Sequence, residues 1–178
     1  MLHPPSHIIY LVGMPGCGKT TFGKKLAKLL HYDFLDIDSI IEEMNAATIA
    51  SIFTSVGEEV FRKNEQAALY QTELLQRTVI ATGGGCAAYE NNMEWMLNRG
   101  LTIYLNAPIA LIYDRLTGAK TERPMLKGLK NEGIRDFIIQ KLAEREPKYL
   151  LSDLIIQVPI KSTKTLVEQS IKTYLEDT

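Results

Sequence analysis

Gly13-Met14-Pro15-Gly16-Cys17-Gly18-Lys19-Thr20 decides how this chain is read. The stretch fits G-x-x-x-x-G-K-[ST], with Thr21 following. Such a loop must turn several backbone N–H groups toward one anion, and glycine allows this through positive φ and close backbone approach. Lys19 then offers a cation to the β- and γ-phosphates, and the Thr20 hydroxyl is placed to ligate Mg²⁺. The competing reading is a glycine-rich turn, and context decides between the two. Residues 8–12, Ile-Ile-Tyr-Leu-Val, form an apolar run suited to a strand buried on both faces. After the loop, Phe22, Leu26, Leu29 and Leu30 recur at helical spacing, with Lys24, Lys25 and Lys28 turned outward. Strand, glycine loop and helix is the order an anion site needs, because the helix N-terminus adds its dipole. Gly16, Cys17, Gly18, Lys19, Thr20 and Thr21 are the expected nucleotide-binding residues.

The pattern continues outward from the loop. Short apolar runs at 32–38, 78–82, 101–105 and 154–158 read as four more strands. Helical segments are expected at 39 to about 44, 48–53, 57 to about 76, 89–98, 108–116, about 132–149 and 163–175. Alternating strands and helices indicate an α/β fold, a five-stranded parallel sheet with helices on both faces. Ligands should then sit beyond the strands' carboxyl ends. No repeat or linker divides the 178 residues, so one domain, 1–178, is expected. The polar, basic stretch 118–128 reads as a mobile lid.

Composition removes several function classes. A net charge of −1 gives no electrostatic case for nucleic acid as the main partner. No apolar run reaches the roughly 18 residues of a membrane span, and the first residues lack a signal-peptide core. Cys17 and Cys86 have neither metal-ligand spacing nor a disulfide framework around them. A cytoplasmic monomer acting on small molecules is expected.

Other residues are candidates for choosing the substrate. Asp36 and Asp38, two apart in the expected second strand, would share one face. Beside a triphosphate, one carboxylate can hold the metal's waters while the other accepts a proton from an attacking hydroxyl. The alternative is a pair of acids capping the next helix. Gly83, Gly84 and Gly85 forgo side-chain packing after a buried strand, which makes sense where backbone N–H groups approach a ligand; a tight turn is the alternative. Arg123, in the lid, could swing over the transferred phosphate, and Arg115 could stack on a purine. On spacing alone, Arg62 and Glu65 read as an ordinary helix ion pair, and Arg145 as part of a solvated face.

The ordered motifs GMPGCGKT, FLDID, SIF, GEEVFRKNE, TGGG, RPML and EREPKY together resemble the shikimate kinases along almost the full chain. The phosphate loop is common to many kinases; the order and spacing of the rest is specific. The resemblance implies a P-loop kinase architecture and ATP-dependent phosphorylation of the 3-hydroxyl of shikimate, in aromatic amino-acid biosynthesis. It implies that Asp38 contacts the reacting hydroxyl and that Asp36 lies near Mg²⁺, through water. It further implies that Arg62 and Arg145 hold the substrate carboxylate, with Glu65 orienting Arg62. Gly83, Gly84 and Gly85 complete that pocket, Arg123 serves as the lid arginine, and Arg115 lies against adenine. Met125 departs from the leucine usual after Arg-Pro, and residues 159–162, where the adenine loop is expected, match poorly. A gluconate or nucleoside-monophosphate kinase is the nearest rival, and a non-catalytic nucleotide-binding module is a rival of another class. The glycine triplet and distributed arginines favour a small carboxylate acceptor, and the presence of Asp38 and Arg123 favours catalysis.

Overall fold

The computed structural model describes residues 8–119, 126, 128–160, 162, 165 and 171. The expected closing helix at 163–175 therefore lies almost wholly outside the described residues, as does most of 118–128, Arg123 included.

Five strands form one parallel sheet: β1 (Ile8–Val12), β2 (Asp33–Asp36), β3 (Thr78–Ala81), β4 (Leu101–Asn106) and β5 (Leu154–Gln157), in the order β2-β3-β1-β4-β5. Every residue of β1 is buried, because it is central and both its faces are covered. Six helices are described: α1 (Lys19–Leu30), α2 (Ile37–Asn45), α3 (Ile49–Tyr70), α4 (Asn92–Leu97), α5 (Ile109–Thr117) and α6 (Asn131–Tyr149). The chain steps from β1 toward β2 through α1, and back across the sheet through the later helices. With right-handed crossovers, opposite directions of travel place α1 and the later helices on opposite faces. Gly23 brings α1 close to the sheet, since a methyl there would come within 2.5 Å of the Phe34 ring. No helix among the described residues is long and apolar enough to cross a membrane.

Three expected boundaries are corrected. The second strand ends at Asp36 rather than 38, and Ile37 and Asp38 already belong to α2. Asp36 is the N-cap, with extended φ −119° and ψ 121°, and its Oδ1 accepts the Asp38 backbone N–H at 3.2 Å. An aspartate that satisfies an orphan helix donor ends the strand there. Asp36 and Asp38 therefore do not share a strand face. The helices expected at 48–53 and 57–76 both form, as the two parts of α3 on either side of a kink, the first starting from a Thr48 cap that accepts the Ser51 N–H at 3.2 Å. Gly57 (φ 79°, ψ 170°) is not helical and stands where the second of the two begins, as expected; that second part ends at Tyr70 rather than near 76, and a 3₁₀ turn over Gln71–Leu74 follows it. The helix expected at 89–98 is shorter, Asn92–Leu97, behind a 3₁₀ turn at Cys86–Ala88. Its Trp95 packs as expected, stacked on Tyr70 at 4.8 Å and edge-on to Tyr10 at 6.1 Å.

Candidate active site

The carboxyl ends of the five strands converge on one cleft of about 530 Å³. Its floor is Pro15 to Thr21, one wall carries Asp36, Asp38, Thr82 and Gly84, and the opposite wall carries Arg115 and Val158 to Ile160. The sheet order explains the position. The connection leaving β1 travels toward β2 and that leaving its neighbour β4 travels the other way, toward β5, which opens a crevice where they part.

The glycine loop has the backbone its sequence requires. Gly13, Gly16 and Gly18 take φ values of 139°, 83° and 110°. Gly18 caps α1 without any side-chain bond, leaving the helix N-terminus open toward the cleft. Lys19 is buried, and its Nζ donates to Gly13 O at 2.7 Å and Met14 O at 3.0 Å. Thr20 Oγ1 donates to Asp36 Oδ2 at 2.8 Å, so the first turn of α1 and the end of β2 meet as hydroxyl and carboxylate. This all-oxygen pair suits Mg²⁺, which binds through one or two carboxylates together with phosphate oxygens and water. Among the described residues there is no cluster of three or more His, Cys, Asp or Glu that could hold a metal alone.

Gly83, Gly84 and Gly85 follow β3, and each is glycine for a different steric reason. A methyl at Gly83 would collide with the Glu65 carboxylate and come within 3.1 Å of Asp38 Oδ1. One at Gly84 would collide with the Pro15 ring, and one at Gly85 would sit 2.5 Å from Arg62 Cζ. None of the three has positive φ. Their role is to let acids, a guanidinium and the phosphate loop crowd one backbone. Their carbonyls are engaged as well. Gly83 O and Gly85 O accept the Cys86 and Ala88 N–H groups at 3.1 Å each, and Gly84 O accepts from Arg145 Nη1 at 3.2 Å and from the Tyr149 hydroxyl.

Arg62 and Arg145 are the main departure from reading by spacing alone. Neither is solvated: they are 8% and 6% exposed. Arg62 and Glu65 lie on the inward stripe of α3 with Phe61, Ala68 and Leu69, so the fold buries the pair. Arg62 Nη1 donates to Glu65 Oε2 at 2.7 Å, and Nη2 reaches the half-exposed Glu58 Oε1 at 3.4 Å. Burial opposes the Arg62 charge, but the Glu65 and Glu58 carboxylates together hold its pKa above the ordinary value. Burial pushes the Glu65 carboxyl up, beyond what Arg62 offsets, and the Asp38 charge pushes the same way. Glu65 Oε1 has no hydrogen-bond partner among the described residues. Arg62 thus offsets only part of the burial, and the carboxyl group is half satisfied.

Sequence reasoning missed Tyr149 and the contact between Pro15 and Gly84. Tyr149 had a usable signal. It stands four residues after Arg145, hence on the same helix face. Its hydroxyl donates to Gly84 O and lies 3.9 Å from Met14 Sδ, while its ring packs on Tyr104 at 5.1 Å. Pro15 against Gly84 had no such signal, because the two belong to different strand ends. Arg115 lies on the cleft wall with Nη1 on the Gly16 and Cys17 carbonyls, 3.0 Å from each.

A glycine loop closing the central strand of a five-stranded parallel sheet, with its lysine and threonine facing a carboxylate, defines a P-loop kinase fold. A family model described as shikimate kinase matches residues 15–176, and the chain belongs to the shikimate kinase family. A shikimate kinase of Bacteroides fragilis is 37% identical over 164 residues, covering 92% of each chain. The crystal structure of shikimate kinase from Bacteroides thetaiotaomicron superposes with a TM-score of 0.85 at 36% identity, covering 95% of this chain and 98% of that one. Shikimate kinase from Acinetobacter baumannii, solved in complex with shikimate, gives 0.84 at 34% identity, covering 96% and 94%.

Proposed function

We propose that this chain transfers the γ-phosphoryl group of ATP to the 3-hydroxyl of shikimate. The observation that carries this reading is the contact of Pro15 with Gly84. It presses the phosphate loop against the backbone that also touches Arg62, Arg145 and Asp38, so donor and acceptor groups share one cleft. Positioning of this kind supplies most of the catalysis in phosphoryl transfer.

In this reading Lys19 leaves the loop carbonyls it now holds and turns its ammonium to the β- and γ-phosphates. The N–H groups of Gly16 and of residues 18 to 21 cradle the same phosphates at the start of α1, while Cys17 N–H holds the loop closed on Met14 O. Arg62 and Arg145 hold the carboxylate of shikimate, with Glu65 fixing the Arg62 guanidinium from below. Asp38, in the first turn of α2, faces Gly83 and orients the 3-hydroxyl, accepting its proton as the oxygen attacks phosphorus. The P–O bond to ADP breaks as the new one forms. Thr20 and Asp36 would hold Mg²⁺, which when bound neutralises charge on the phosphate oxygens. Arg115 lies against adenine, and Arg123 closes over the transferred group from the lid at 118–128.

A coupled assay that follows ADP release, with ATP and a panel of hydroxy acids, tests the reading. Shikimate should be turned over far faster than gluconate, quinate or any nucleoside monophosphate. Efficient phosphorylation of one of these, with shikimate left untouched, would overturn it.

A further inference from the structure

The helix α5 lies along the back of the glycine loop. Ile112, Arg115 and Leu116 share one face of it by their i, i+3, i+4 spacing. A methyl on Gly16 would lie 3.4 Å from Leu116 Cδ2 and 3.5 Å from Ile112 O, and one on Gly18 would lie 3.1 Å from Arg115 Nη1. Arg115 Nη1 carries two hydrogens and donates to two acceptors, Gly16 O and Cys17 O, at 3.0 Å each.

The consequence follows from peptide geometry. A loop that aims its N–H groups inward at an anion turns the opposite ends of the same peptides outward. Those outward carbonyls need donors, and among the described residues no backbone N–H donates to Gly16 O or Cys17 O. Around the loop, the backbone bonds are Cys17 N–H to Met14 O at 3.1 Å and Phe22 N–H to Gly18 O at 2.9 Å. Neither holds Gly16 O or Cys17 O. The Arg115 guanidinium holds both, and it comes from a different strand crossover, so it ties the loop to the body of the fold.

We propose that Arg115 is a positioning residue for the triphosphate: it fixes the peptide planes after Gly16 and Cys17, whatever base the nucleotide carries. This rests on reading the loop as the phosphate site and adds a role that stacking on adenine does not contain. The two roles separate experimentally, because inorganic tripolyphosphate has no base.

The test uses Arg115→Met, which keeps an apolar stem but no donor, and Arg115→Lys, whose ammonium can still donate. In the ligand-free protein, amide exchange at Cys17, whose N–H is bonded to Met14 O, should quicken by about tenfold in Arg115→Met, while the strand amides keep their protection. By calorimetry, tripolyphosphate should bind about tenfold more weakly to Arg115→Met, and Arg115→Lys should recover part of that loss. The KM for ATP should rise while that for shikimate stays unchanged, a split that general loosening of the fold would not produce. Weaker ADP binding with unchanged tripolyphosphate binding would confine Arg115 to the base and overturn the proposal. Unchanged loop exchange, in a wild type that binds ADP, would overturn it alone. A wild type that binds neither ADP nor tripolyphosphate would overturn the phosphate-site reading and this inference with it.

Discussion

Replacing Tyr149 by phenylalanine removes one oxygen from the junction of two loops and leaves the ring in place against Tyr104. Two magnitudes compete. If Gly84 O were left buried without a donor, the cost would be about 1–3 kcal/mol, the desolvation of an orphaned acceptor. Gly84 O, however, still accepts from Arg145 Nη1 at 3.2 Å. The expected loss is then that of one neutral hydrogen bond, about 1 kcal/mol, partly offset because phenylalanine has no hydroxyl to desolvate. For a chain of this length that lowers Tm by about 2–4 °C. Urea unfolding at constant m measures it. Arg145→Met alone should likewise leave Gly84 O one donor. The double variant leaves it none, so the second deletion should cost more than the first, with a coupling of about 1–2 kcal/mol.

The pH dependence has a definite sign. Burial pushes the Tyr149 pKa above its ordinary value of 10.0, so the folded state favours the protonated ring. Its contribution is complete below pH 10 and declines as pH rises from there toward the folded value. The difference between wild type and Tyr149→Phe should therefore be flat from neutrality to about pH 9, and wild type should lose ground above it. Additive single losses in the double variant would refute the shared carbonyl. So would a loss beyond 3 kcal/mol for Tyr149→Phe alone, about the cost of a fully orphaned group.

Three further outcomes follow from the site. Asp38→Asn keeps the side chain's shape and loses its proton acceptor, so single-turnover phosphoryl transfer should slow by about 10²–10⁴-fold; a rate equal to wild type would remove Asp38 from the chemistry. Arg62→Lys keeps the charge but not the planar fork, and should lower kcat/KM for shikimate by about 10–150-fold with little change in the KM for ATP. Wild type that phosphorylates the methyl ester of shikimate as well as the acid would refute the carboxylate role. Glu65→Gln tests the under-satisfied carboxylate: burial raises the Glu65 pKa above 4.5, so wild type has its full stability below that pH and loses it, relative to the variant, as pH rises through the folded value. Urea midpoints of the two proteins that stay parallel from pH 4 to 8 would contradict a raised pKa.

The parts legible in the sequence were those fixed by local rules, and the rest depended on what distant segments place side by side. Residues 8–20 carried their whole meaning in order: a buried strand, glycines at positive φ, then a lysine opening a helix. Strand alternation and helix spacing likewise gave the parallel sheet. Asp38 was misplaced because a strand and a capped helix both accommodate Asp-Ile-Asp, and only the bond from Asp38 N–H to Asp36 decides between them. Spacing alone made Arg62 and Arg145 ordinary surface residues, and it had no means of doing otherwise. Burial of a charge is set by the segments packed over it, here the backbone after β3, which comes from neither arginine's helix. The glycine triplet shows the same limit most clearly. Three glycines in a row read as backbone exposed to a ligand, yet at each of them a methyl would collide with a different neighbour: Glu65, Pro15 or Arg62. Those neighbours lie 18 or more residues away along the chain, and two of them are ionisable. A run of residues without side chains is therefore also the place where other segments' functional side chains can converge, and in this fold such a run joins the phosphate loop to the arginines and acids around it.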